Sequence, residues 1–160
     1  MIMDACVLID FLHADRSVFQ SISHYVGPLY VVSSVVEELR DVQNSEELIA
    51  LGISVIVPKR EDVDMAASKI DALSFQDWLC LLTAKRHGLT CVTNDKRIRR
   101  QCEQEGVSLL WGLELLLGLH EVDGITKKMA ETVALGIHQT NPLHISRDIF
   151  EEFRKKLRAQ

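Results

Sequence analysis

Short apolar, β-branched runs alternate with segments of helical period as far as residue 110, and this alternation restricts the chain to few architectures. Strands are expected at residues 2–3, 29–32, 53–57, 90–93 and 107–110, the third stopped by Pro58. Between them, Val7, Leu8, Phe11 and Leu12 follow helical spacing, Ser34 can cap a second helix, and a third covers residues 62–70. Ser74 opens a helix with Phe75, Trp78, Leu79 and Leu82 on one face, ended near Gly88, and residues 95–105 form a polar helix. Strands alternating with helices imply an α/β fold, its mostly parallel sheet of about five strands covered on both faces.

Past Gly118 the pattern changes. Residues 125–139 and 146–157 read as two helices joined by Asn141-Pro142, with Met129, Val133, Leu135 and Ile137 as apolar positions on the first. Ile149, Phe150, Phe153 and Leu157 mark the second. The expected organisation is a domain over residues 1–120 with a helical hairpin, residues 121–160, packed on it; a partner or dimer contact is the other use of such a hairpin.

In a parallel α/β fold, strand C-termini and the N-termini of the returning helices share one rim, where ligands bind. Four acids fall at such boundaries: Asp4, Glu38, Asp77 and Asp95. Each has a local structural reading beside the functional one. Asp77 stands three residues after Ser74, the spacing of a capping box. Asp95, or equally Asn94, could cap the helix that follows. Glu37 has capping spacing from Ser34, which leaves Glu38 as the candidate ligand. Asp4 has the fewest structural uses, because an acid beside a buried strand is costly unless paired or bound to metal. Asp10 could support the site or face solvent. Four carboxylates on one rim repel unless a cation sits among them, and oxygen-only donors suit Mg²⁺ or Mn²⁺. The chemistry this suggests is metal-dependent hydrolysis, most plausibly of phosphodiesters.

A net charge of −5 argues against a surface that binds nucleic acid everywhere. Six bases, Lys85, Arg86, Lys96, Arg97, Arg99 and Arg100, nonetheless cluster against the lone acid Asp95. They form either a solvated helix face or a phosphate-binding edge beside the acids. Trp78 and Trp111 lie in apolar surroundings that favour core packing over base stacking. Cys6, Cys80, Cys91 and Cys102 sit in apolar stretches without a C-x-x-C pair, and the histidines show no H-x-x-x-H pair, so buried thiols are expected and zinc is not. No run approaches the length of a membrane helix and no charged leader precedes an apolar stretch, so the expected setting is cytoplasmic.

Four segments together resemble the PIN-domain family of the kind typified by VapC-type toxins. They are Met3-Asp4-Ala5-Cys6-Val7-Leu8-Ile9-Asp10, Val32-Ser33-Ser34-Val35-Val36-Glu37-Glu38-Leu39, Leu73-Ser74-Phe75-Gln76-Asp77 and Val92-Thr93-Asn94-Asp95-Lys96. The resemblance covers roughly residues 1–110. It implies a three-layer α/β/α sandwich and a Mg²⁺- or Mn²⁺-dependent ribonuclease, the toxin of a toxin–antitoxin pair. Asp4, Glu38, Asp77 and Asp95 match the family's acidic positions, and Thr93 a supporting hydroxyl. On this reading Asp4 and Asp95 bind the main cation directly, while Glu38 and Asp77 bind it or a second ion through water. Thr93 and Asn94 hold a carboxylate or the water, and Lys96, Arg97, Arg99 or Arg100 contact RNA phosphates. An antitoxin protein and a homodimer that completes a groove are the implied partners, with no role for a membrane. The hairpin is longer than the compact toxin pattern, which loosens the antitoxin expectation.

Three competing readings remain. A haloacid-dehalogenase-type phosphatase needs a second Asp two positions after the first, where this chain has Cys6. A receiver domain needs an Asp at the end of the third strand, where Pro58 stands. A catalytically silent PIN-like binding module would be favoured by loss of an acid, and all four are present.

Overall fold

The computed structural model describes residues 1–37, 39–40, 42, 44–70 and 73–160. Five strands make one sheet: β1 (Ile2–Met3), β2 (Leu29–Val32), β3 (Ile53–Ile56), β4 (Cys91–Val92) and β5 (Leu109–Leu110). Their spatial order is β3-β2-β1-β4-β5, and every neighbouring pair is parallel. Parallel neighbours require crossovers, which helices supply here on both faces. The result is the expected three-layer α/β/α sandwich. β1 is the central strand, and both its residues are fully buried.

Helix α1 (Ala5–Ala14), the short α2 (Val18–Ser21) and a wide turn over Ile22–Val26 lead from β1 to β2. α3 (Ser33–Val36) and α4 (Ser45–Ala50) lead on to β3. α5 (Arg60–Ser68) and α6 (Phe75–His87) return to β4, and α7 (Lys96–Glu105) joins β4 to β5. α6 is buried over most of its surface, from Trp78 through Ala84, because it lies between the sheet and α5. Its ends behave as the sequence requires. Ser74 and Asp77 form a complete capping box, and Gly88 closes the helix at φ +62°, a left-handed conformation that costs glycine little. The buried Asp62 carboxylate takes two hydrogen bonds from Arg86 and so ties α5 to α6.

One expected cap fails, and one helix appears that the sequence pattern did not reveal. Ser34 does not cap a helix: β2 runs straight into the single-turn α3, the cap position falls on Val32, and Glu37 lies just past the helix end. Ser34 Oγ is buried without a partner among the described residues. A further helix, α8 (Gly112–Glu121), follows β5 and begins where the Trp111 amide donates to Glu114 Oε2 at 2.8 Å. Its leucine-rich sequence is apolar on most sides, so it shows little helical period.

The C-terminal region forms α9 (Lys127–Thr140) and α10 (Arg147–Ala159). α9 lies along α1, where Gly136 leaves room for Ala14 to approach (a Cβ added there would be 3.5 Å from that of Ala14). α10 packs on α8 and α9 through Phe150, Phe153 and Leu157. Of the apolar positions expected on the first of these helices, Val133 and Ile137 are buried, whereas Met129 and Leu135 are exposed. The four cysteines are free; Cys80, Cys91 and Cys102 are buried and Cys6 is half-buried. Among the described residues no helix is long and apolar enough to cross a membrane.

Truncating a side chain of α6 tests how far the sheet depends on this helix. Leu81→Ala removes a fully buried group and should cost about 2–5 kcal/mol, read as a lower urea midpoint with an unchanged slope.

Candidate functional site

The register of the central strands builds the site. Ile2 pairs with Cys91 and Met3 with Val92, so Asp4 leaves β1 beside the place where Thr93 leaves β4. The Asp4 amide donates to the Val92 carbonyl at 3.1 Å, and the Thr93 amide to that of Leu110. Both segments then enter helices at once, with Asp4 the N-cap of α1 and Asp95 the N-cap of α7. Two carboxylates are thereby set at the C-terminal rim of the sheet, each near the positive end of a helix.

Asp4 is 2% exposed. Its Oδ1 accepts from the Val7 amide at 2.7 Å, whereas Oδ2 is buried with no hydrogen-bond partner among the described residues. Burial raises its pKa to about 7, the negative charges of Asp77 and Asp10 add to that, and the Thr93 hydroxyl and Val7 amide pull the other way. Among the described residues no hydrogen bond reaches Oδ2, so the Thr93 hydroxyl acts on the carboxyl without satisfying that atom. A buried oxygen in this condition costs free energy unless a proton or a cation occupies it.

Asp77 contributes from the first turn of α6. Its Oδ2 accepts from the Ser74 amide at 3.0 Å, and its own amide donates to Ser74 Oγ at 3.1 Å. Its capping role and its position near Asp4 are therefore compatible. Asp95 is differently engaged. Its Oδ1 accepts from the Arg97 amide at 2.7 Å and from Arg97 Nε at 3.3 Å, and its Oδ2 from Arg97 Nη2 at 2.8 Å. These bonds to Arg97 hold the Asp95 carboxyl below the usual aspartate range. Glu38 lies outside the described residues.

Thr93 is fully buried, and its Oγ1 accepts from the Asp95 amide at 3.1 Å, which fixes the turn into α7. Asn94 is also buried, and its side chain faces inward: Nδ2 donates to Asp10 Oδ2 at 3.1 Å, and Oδ1 accepts from the Gly112 amide at 2.9 Å. Lys96 and Arg100 are exposed on α7, with no ion-pair partner among the described residues. Arg97 faces Asp95 and bears on Asp77. Arg99 turns the other way and lays its guanidinium over the Trp111 ring, 3.8 Å from the centroid. Trp111 is thus half-buried under an arginine, and Trp78 is buried with Lys69 above its ring. Of the remaining bases, Lys85 pairs with Glu105 and Arg86 with Asp62. The basic run therefore divides between ion pairs, one stacked arginine and an exposed edge on α7.

Asp10 is 4% exposed and has no cationic group within ion-pair distance among the described residues. It is held by amides: Nδ2 of Asn94 on one side and Nδ2 of Asn141 on the other, the latter at 2.9 and 3.1 Å. Burial raises its pKa, and Asn141 and Asn94 offset part of the rise. The sequence marked Asp10 only as a helper or a surface group, and no local signal pointed to Asn141.

The oxygen-only donors fit a hard divalent cation. Asp4 Oδ2 lacks a partner, and the neighbouring acids disfavour its ionisation. Among the described residues no three His, Cys, Asp or Glu side chains already close into a metal cage. Glu38, the fourth candidate acid, lies outside those residues, and Arg97 holds the Asp95 carboxylate.

The family model described as PIN domain matches residues 1–104, and the chain belongs to that family. No curated protein matches the chain. PIN domains are generally nucleases that act on nucleic acids and use divalent metal ions.

Two substitutions test this geometry. In the unfolded chain Asp4 ionises near the ordinary 3.8, and in the folded chain near 7. Between those values the folded form holds a proton that the unfolded form has lost, so the contribution of Asp4 to metal-free stability falls as pH rises across that window. Asp4→Asn retains an oxygen for the Val7 amide and removes this dependence. In EDTA its Tm should exceed that of wild type at pH 7.5, with the gap narrowing toward pH 4; no gap at pH 7.5 would show that burial does not strain this carboxyl. At Gly112 an added Cβ would stand 3.0 Å from both terminal atoms of the Asn94 side chain. Gly112→Ala should cost about 1–3 kcal/mol, measured by urea unfolding.

Proposed function

We propose, from membership of the PIN family, that this chain is a Mg²⁺- or Mn²⁺-dependent endoribonuclease whose site comprises Asp4, Glu38, Asp77 and Asp95. The observation that carries the reading is Asp4, a buried carboxyl at the sheet rim with one oxygen that has no hydrogen-bond partner among the described residues. A cation there would satisfy that oxygen and remove the repulsion from Asp77.

The residues divide the work as follows. Asp4 offers Oδ2 to the cation and keeps Oδ1 on the Val7 amide, so its orientation survives binding. Asp77 keeps Oδ2 on the Ser74 amide and adds charge from the first turn of α6. Thr93, through the Asp95 amide, holds the turn that aims Asp95 at the same rim. Asp95 becomes available when Arg97 releases it, and the freed guanidinium then stands at the rim, where an RNA phosphate can take the carboxylate's place. Lys96 and Arg100 on the exposed side of α7 meet flanking phosphates. When bound, the divalent cation supplies an acidified water nucleophile and neutralises charge on the leaving oxygen. The toxin role and an antitoxin partner rest on the segment resemblance, a homodimer on an acidic site beside a basic edge that needs a second subunit to form a groove, and a cytoplasmic setting on the sequence pattern.

One observation favours a second reading, the catalytically silent PIN-like module. Arg97 already neutralises Asp95, and a site closed in this way could serve binding without cleavage. The two readings part on cleavage of a mixed RNA pool with Mg²⁺, Mn²⁺ or EDTA. Cutting by wild type that needs metal and is abolished by Asp4→Asn supports the nuclease; intact RNA under every metal condition supports the silent module. Arg97→Gln gives a further check. It should tighten Mn²⁺ binding several-fold by freeing Asp95 and raise the KM for RNA, whereas an unchanged Mn²⁺ affinity would mean that Arg97 and the cation do not compete.

A further inference from the structure

The C-terminal hairpin lies beyond the matched residues 1–104, yet one of its residues reaches Asp10, the buried carboxylate beside the proposed site. Asn141 ends α9, and its amide donates to the Ile137 carbonyl at 2.9 Å. Its side-chain Nδ2 donates to both oxygens of Asp10 and also approaches Cys6 Sγ at 3.3 Å. Asp10 accepts from Asn94 Nδ2 in turn, and Asn94 is the residue between Thr93 and Asp95. A continuous line of hydrogen bonds thus runs from α9 through α1 to the turn that carries Asp95, and on from Asn94 Oδ1 to the start of α8.

The turn that presents Asn141 is itself tightly held. The Ile145 amide donates to the Asn141 carbonyl at 3.0 Å, and the His144 amide to Asn141 Oδ1 at 3.4 Å. His138 Nδ1 donates to the Ile145 carbonyl at 2.6 Å, Ile145 is fully buried, and the His138 ring stacks on Phe150. A mere tether between two helices would not need a buried carboxylate to receive it. Asp10 is costly to bury, and the two amides that offset that cost come from opposite sides of it. The same turn brings His144 into electrostatic reach of both Asp10 and Asp95, so it borders the acidic rim.

We propose that Asn141 is a positioning residue of the metal site, supplied by the hairpin, which acts through Asp10 and Asn94 to hold the turn from Thr93 to Asp95 in its binding geometry. The hairpin is then a working part of the site. Asn141→Ala withdraws one of the two amides from Asp10, which frees the carboxylate to pull Asn94 and, with it, the backbone that presents Asp95. The inference rests on the proposed metal site.

The test is a direct Mn²⁺ titration, in which electron paramagnetic resonance counts the free ion at a temperature well below every Tm. It compares wild type, Asn141→Ala, Asp10→Asn and Thr132→Ala, the last an exposed control on α9 that touches none of these groups. Asp10→Asn is isosteric and weakens the same bridge from its other end, because one of its two acceptor oxygens becomes a donor facing the Asn amides, so it serves if Asn141→Ala does not fold. Asn141→Ala and Asp10→Asn should bind Mn²⁺ at least fivefold more weakly, with the control at wild-type affinity. Wild-type affinity in either folded bridge variant would overturn the inference, because a purely structural residue lowers Tm in EDTA without changing this constant. A wild type that cuts RNA in a metal-dependent way while the bridge variants bind normally would overturn the inference alone. A wild type that binds no Mn²⁺ would overturn it together with the nuclease reading.

Discussion

The parallel pairing of β1 with β4 is the constraint on which the rest of the site depends. Each strand is only two residues long, so the register Ile2 to Cys91 and Met3 to Val92 leaves no room for slippage. That register sets Asp4 against Thr93 and, through the turn that Thr93 closes, directs Asp95 to the same rim. Pairs this short cannot be held by backbone bonds alone. The fully buried side chains of Ile2, Met3, Cys91 and Val92, and α6 packed across them, hold the register by excluding water from it. The function-bearing rim is therefore only as well defined as the core beneath it.

The rim itself is under electrostatic tension. Asp77 and Asp10 both bear on Asp4, and each of the three is managed by a different device: a raised pKa at Asp4, amides on Asp10 and a capping box on Asp77. Asp95 has the fourth, an arginine two residues along its own helix. A fold selected for stability alone would replace several of these groups with neutral ones. Their position on one edge, where helix N-termini favour negative charge, is what the proposed cation site would draw on.

Much of this was legible in advance, for reasons that particular residues illustrate. The strands at 29–32 and 53–57 announce themselves by β-branched runs, and α6 by the spacing of Phe75, Trp78, Leu79 and Leu82 between a serine cap and a glycine stop. Both are local signals, written within a dozen residues. α8 escaped notice because a helix apolar on most sides has little period to detect. The Ser34 cap misled because a serine at the right spacing carries no information about where β2 ends. The acids could be placed at strand ends from the alternation alone. What each one touches could not, since the Arg97 pair on Asp95 is a side-chain contact without a pattern of its own, and the Asn141 contact joins residues on opposite sides of the chain's midpoint. Contacts between distant segments leave no periodicity behind.

The central position of β1 has a consequence for how the molecule comes into being. Its partner on one side, β2, is translated soon afterwards, but its partner on the other, β4, follows only after four further helices and another strand. Asn141 comes later still. A nascent chain emerging from the ribosome therefore carries Asp4 exposed and unassembled through most of its synthesis, because loop closure over such a distance must precede any reward from pairing. The acidic rim is among the last features of the molecule to exist, and a chain interrupted anywhere before β4 is left without it.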